Sequence, residues 1–187
     1  LSLPDIYTSK IKLVSAQPSG QNSMSTLASK YGGLAAMAGI NLNSQDGNSL
    51  VHATELVNSW PFMESFVNKY DLQPKLMAVK GWDEDTRELV YDDEVYNSES
   101  AQWKEGARLG SSEIKSMQPS SYETFQAVSK QFIQVGYDEE LGIFEIKVEH
   151  YSPEVAFEIT QLLVREINAY FKLHDQKEAE ASIDFIQ

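Results

Sequence analysis

The chain has 187 residues, 42% of them hydrophobic and 23% charged, enough apolar material for an ordinary globular core, and this excludes wholesale disorder. A count of 28 acidic against 15 basic residues leaves a net charge of −13, so the surface repels the phosphates of nucleic acids and of anionic lipid. There is no cysteine, which excludes disulfide frameworks and thiolate metal sites.

In chain order, Ile6–Val14 (IYTSKIKLV) alternates and carries β-branched residues, which predicts a strand. Gln17–Asn22 is a turn cluster. Met24, Leu27, Tyr31, Leu34 and Ala38 then fall at helical spacing. Gly32 and Gly33 interrupt that pattern and mark a kink, a break or a close backbone approach. After polar Asn41–Asn48, either Asn48 or Ser49 is placed to cap a helix through Ser59, with Leu50, Leu56 and Val57 inward. Pro61 suits the first turn of a second helix, Phe62–Tyr70, whose stripe is Phe62, Phe66, Val67 and Tyr70. Pro74 is expected to end that stretch, and Leu76–Gly81 reads as a short strand or helix.

Asp83–Arg87 reads as a solvated turn ahead of a short edge strand, Glu88–Tyr91. Asp92–Pro119 is acidic, serine-rich and aperiodic, and is expected to be surface loop with short helical turns around Gln102–Arg108. Ser120 or Ser121 caps a helix carrying Tyr122, Phe125 and Val128. Phe132–Tyr137 and Ile143–His150 both alternate around Asp138–Gly142, which predicts a hairpin. Ser152-Pro153-Glu154 starts a helix: serine caps, proline takes the first position and the acid complements the dipole. Its inward side is predicted to be Val155, Ile159, Leu162, Leu163, Ile167, Tyr170 and Phe171. Continued to Gln187 the helix would be about 52 Å long, more than a domain of this size needs. Beyond Leu173 the apolar pattern thins, so the helix is expected to leave the core there. The fold class that follows is α+β, in one domain over residues 1–187. An N-terminal strand and a C-terminal hairpin form a small mixed sheet, packed with helices, and the long C-terminal helix extends out of the domain. Both ends read as cuts, Leu-Ser-Leu-Pro at the start and a helical pattern at Gln187, so a longer parent protein is expected. No apolar run approaches the ~20 residues that span a bilayer.

No catalytic constellation emerges. The Tyr31–Gly39 segment lacks both the Gly-Lys-Ser/Thr ending of a phosphate loop and the spacing of a dinucleotide site. His52 with Glu55, and His174 with Glu178, are two-ligand pairs that read as solvated helix pairs and not as metal sites. His150, following an outward Glu149 at a strand end, reads as buried or interfacial. Asp83, Glu84, Asp85, Asp92, Asp93 and Glu94 lie in solvated turns without the burial that makes a general acid. No cofactor, metal or catalytic residue is assigned. Trp60, Trp82 and Trp103, with nine tyrosines, are candidates for stacking on sugar rings, though single aromatics more often pack in a core or at its rim.

Four segments resemble the Wzz-type polysaccharide chain-length determinants, or polysaccharide co-polymerases. They are Pro4–Ser9 (PDIYTS) leading into a strand, Tyr31–Ile40 (YGGLAAMAGI), Val148–Ala156 (VEHYSPEVA) running from strand into helix, and Glu178–Ile186 (EAEASIDFI). The four segments lie in the family's order, and Asn41–Pro119 carries none of the resemblance. It implies a non-enzymatic, periplasmic domain anchored in the bacterial inner membrane by flanking helices. It further implies ring-like homo-oligomers that set the chain length of O-antigen or related lipopolysaccharide beside a separate polymerase and its nascent polysaccharide. Under this reading Gly32, Gly33, Leu34, Ala35, Gly39 and Ile40, with the exposed face of the long helix, are the candidate contacts. Two alternatives stand beside it: the same module in a kinase-linked capsule or exopolysaccharide exporter, and a carbohydrate-binding or carbohydrate-cleaving domain.

Overall fold

A computed structural model describes residues 5–14, 47–107 and 113–184. The candidate contacts Gly32, Gly33, Leu34, Ala35, Gly39 and Ile40 lie outside the described residues, as does the helical pattern from Met24 to Ala38.

The centre is a three-stranded antiparallel sheet of β1 (Tyr7–Val14), β8 (Ile133–Asp138) and β9 (Ile143–His150), in the order β1-β9-β8. Ile11 faces Ile146 across the β1–β9 ladder, and Ile133 faces Val148 across β8–β9. The sheet was expected to be mixed, but both ladders are antiparallel, because β9 returns along β8 through a tight turn and β1 runs against β9. In that turn Asp138 Oδ1 accepts the Leu141 N–H at 3.0 Å, and Gly142 takes a φ of 62°, which a side chain would resist.

Alternation along β9 makes the sheet two-faced. Phe144, Ile146, Val148 and His150 are buried, together with Ile133 and Val135 of β8. On the other face charges pair: Lys10 and Lys12 of β1 each lie 3.0 Å from Glu145 across the ladder, and within β9 Lys147 lies 2.9 Å from Glu149. The two lysine hydrogen bonds, Lys12 first, hold the Glu145 carboxyl below the usual range.

Helices cover the apolar face. They are α1 (Gly47–Val57), α2 (Trp60–Lys69), α3 (Gln73–Met77), α4 (Ser121–Ala127) and α5 (Pro153–Asp184). Leu50, Ala53 and Val57 of α1, Met63, Phe66 and Val67 of α2, and Leu76 of α3 join the sheet in one core. Asn58, between α1 and α2, donates to the Val135 carbonyl at 3.1 Å and ties that corner to β8. α1 starts at Gly47, one residue ahead of the expected Asn48 cap. α2 starts at Trp60, with Ser59 as its cap and Pro61 in its first turn. Pro74 does not end a helix; it sits in the first turn of α3, where a missing N–H leaves no bond unmade. Ser120 and Glu123 form a reciprocal capping box on α4, which runs into a π-helical turn at Val128–Phe132.

Between α3 and α4 the chain forms three two-stranded ribbons, β2 (Val79–Asp83) with β3 (Glu88–Tyr91), β4 (Tyr96–Asn97) with β5 (Gln102–Trp103), and β6 (Glu105–Ala107) with β7 (Ile114–Ser116). The helical turns expected around Gln102–Arg108 are therefore short strands up to Ala107; Arg108 lies outside the described residues. No helix among the described residues is long and apolar enough to cross a membrane.

Candidate functional site

The feature that sets this molecule apart is the seating of α5. Two residues, Tyr151 and Ser152, separate the end of β9 from the start of α5, so strand and helix are directly coupled. His150 pins the junction. The Ser152 N–H donates to its Nδ1 at 3.0 Å, which leaves the proton on Nε2, and Nε2–H donates to the Lys75 carbonyl at 2.9 Å. One buried ring thus joins β9, the start of α5 and α3. Burial holds its pKa below the ordinary 6.5 and outweighs both backbone hydrogen bonds, so the ring is neutral at pH 7. Ser152 then caps α5 by accepting the Val155 N–H at 3.3 Å.

Along the inner side of α5, Val155, Ala156, Ile159, Leu163, Val164, Ile167 and Phe171 are buried. Thr160 Oγ1 donates to its own helix at the Ala156 carbonyl, 2.8 Å, and lies 2.8 Å from Ser9 Oγ of β1. Ion pairs line the flank. Glu154 meets Arg87 of the β2–β3 turn, Glu158 meets Lys75 at 2.9 Å, and Glu166 accepts from Lys69 at 2.8 Å and from the Tyr70 hydroxyl. Partial burial pushes the Glu166 carboxyl up, but the bonds from Lys69 and Tyr70 outweigh it and hold the pKa low. The Arg165 guanidinium lies 5.1 Å above the Tyr70 ring and adds a cation–π contact.

The seat then ends before the apolar face does. Tyr170 lies two turns after Leu163 and on the same side of the helix. Leu163 is 0% exposed, whereas Tyr170 is 42% exposed and Leu173, three residues on, is 53% exposed. The spacing placed Tyr170 inward; here the core takes up its neighbour Phe171, and Tyr170 lies at the flank, its ring edge-on to Phe171 with centroids 5.7 Å apart. α5 continues to Asp184, about 20 Å past Phe171, the last buried residue among its described side chains.

The other sequence candidates fall as follows. His52 and Glu55 form an exposed pair 3.5 Å apart on α1, and the side chains of His174 and Glu178 lie outside the described residues. Among the described residues no group of three or more histidine or acidic side chains could hold a metal ion. Asp83, Glu84, Asp85, Asp93 and Glu94 are exposed and Asp92 half-buried; Asp83 ends β2 and the other five lie in the turns and links that follow β2 and β3. Asp83 Oδ1 accepts the backbone N–H groups of Thr86 and Asp85, a geometry that keeps its carboxyl ionised. Trp82 and Trp103 are half-buried, the latter edge-on to Tyr96 with centroids 5.2 Å apart; Trp60 alone of the three is exposed. A scan against models of protein families finds no match, and no curated protein matches the chain.

Proposed function

We propose that this chain is the periplasmic part of a bacterial regulator of surface polysaccharide chain length, which acts by assembling with copies of itself at the inner membrane and catalyses no reaction. The observation that carries the reading is the emergence of α5 from its seat: the helix runs about 20 Å past the buried Phe171, and Leu173 stands 53% exposed on it. A second copy packed alongside would bury such a face, and a rod of about 48 Å sets the geometry of such an assembly. The likeness of Val148–Ala156 to the chain-length determinants supports it, since that segment forms the β9–α5 junction on which the rod is seated. By the same likeness, flanking membrane helices would anchor the protein and a separate polymerase would be its working partner.

The test is the length distribution of surface polysaccharide, resolved as a ladder, in the source bacterium with the gene deleted and restored. The expected result is loss of the modal band cluster on deletion and its return with the wild-type gene. A gene carrying Tyr170→Ser and Leu173→Ser is expected to restore protein level but not the cluster. An unchanged ladder with loss of capsule or secreted polymer favours the kinase-linked exporter; no change in either overturns both readings. Restoration by the double variant overturns the role given to the emerging face of α5.

A further inference from the structure

An aromatic ledge lies on the body, where α2 meets α4. Trp60 opens α2 and Tyr122 lies in the first turn of α4; they are 43% and 50% exposed. Their centroids are 5.3 Å apart with ring planes inclined at 68°, and the Phe125 ring continues the row 6.5 Å beyond Tyr122. Exposed aromatics ordinarily turn freely, but these two are fixed. Trp60 Nε1–H donates to Ser121 Oγ at 2.8 Å, and the Gln126 amide donates to the Tyr122 hydroxyl at 2.8 Å. Rings held in place before a ligand arrives lose little freedom on binding.

Beside the ledge is a shallow depression between the two helices, lined by Glu64, Asn68, Ser121 and Phe125 among others. Its space of about 10 Å³ holds one water, so nothing larger is swallowed; a ligand must lie across the surface. Glu64 and Asn68 follow Trp60 at four-residue spacing, on the same face of α2. Neither side chain makes a hydrogen bond among the described residues, so a carboxylate and an amide stand ready beside fixed ring faces.

We infer that this ledge binds the pyranose rings of a neutral glycan. A pyranose presents an apolar patch of C–H groups edged by hydroxyls; the patch suits an indole or phenol face, and the hydroxyls suit a carboxylate and an amide. Charge selects the class: Glu64 at the ledge, in a chain of net charge −13, disfavours uronate or sulfated sugars. The inference rests on this geometry and not on length control. Glycan binding with an unaltered ladder would leave the ledge standing and remove only the regulatory reading.

The experiment titrates the chain with neutral hexasaccharides of gluco, galacto and manno configuration, by calorimetry and by tryptophan emission, with oligogalacturonate as the acidic comparison. At least one neutral hexasaccharide is expected to saturate at millimolar concentration, and the acidic one to bind at least about tenfold more weakly. Trp60→Ala is expected to weaken binding about tenfold, and Gln126→Ala, which frees Tyr122, a few-fold; circular dichroism and the thermal midpoint should stay unchanged. Gln126→Ala keeps the test open should Trp60→Ala disturb folding. No saturable binding by any neutral hexasaccharide overturns the inference. So does undiminished binding by both variants, or equal binding of the acidic sugar. Self-association abolished by Trp60→Ala without sugar binding assigns the ledge to a protein partner and overturns it as well.

Discussion

Two stretches of similar length behave oppositely. From Ile133 to Phe171, strand, hairpin and helix pack one alternating face and one helical stripe into a common core. From Val79 to Ser116, three ribbons make backbone ladders, yet among their described residues only Val79 and Tyr96 are buried. Hydrogen bonds are present in both. The difference is burial, which provides most of the net stabilisation of a fold, whereas a two-stranded ribbon is marginal alone. Two bonds tie the ribbons to the helices: Asp92 N–H donates to the Ala78 carbonyl at 2.7 Å and closes the base of the β2–β3 ribbon, and beyond β7 the Gln73 amide donates to the Pro119 carbonyl at 2.8 Å.

Substitutions can break that contrast. Phe144→Ala, at the centre of the sheet, is expected to cost about 3–5 kcal/mol, read by urea denaturation; a loss below ~1 kcal/mol would show that the sheet is not the stabilising half. His150→Leu comes next, at about 1–3 kcal/mol at pH 7, because it leaves the Lys75 carbonyl and the Ser152 N–H unpaired. The same residue gives the pH dependence its sign. Burial lowers the folded-state pKa below 6.5, so the unfolded chain binds the proton more readily. Stability is then full above pH ~6.5 and falls as the pH drops through that value toward the folded pKa, by at most about 1.4 kcal/mol per pH unit. Wild-type midpoints measured from pH 7.5 to 5.5 should show this decline, and His150→Leu should flatten it. The smallest effect belongs to the ribbons: Ile114→Thr, at a position 71% exposed, should stay within ~0.5 kcal/mol of wild type. A larger loss there would mean that the ribbon carries a contact its exposure does not show.

The same contrast governs what the sequence discloses. β1, the β8–β9 hairpin and the Ser152-Pro153 start of α5 are legible because strict alternation and a capping serine are local signals. β4 to β7 are two or three residues each, too short for any period to register, and their side chains are mostly exposed. Pro74 misleads because proline both terminates one helix and suits the first turn of the next. Tyr170 misleads for another reason. Spacing reports the side of a helix but not which flank of its stripe the neighbouring body covers. Trp60 could not be singled out among three tryptophans, since its hydrogen-bond partner Ser121 is 61 residues away. Of the contacts expected from the resemblance, Gly32 to Ile40 lie outside the described residues, and the long helix is legible through its cap and its stripe.

The two-residue link between β9 and α5 also has a mechanical meaning. A helix rooted in a strand at its start acts as a pointer, and its far end magnifies any rotation at its root. Tilting a rod of about 48 Å by ~10° swings the far end by about 8 Å, more than the radius of a helix with its side chains. A substitution at His150 or Ser152 too mild to unfold the body could therefore redirect the tip by a whole side-chain layer. In a closed ring, that angle would be summed around every subunit.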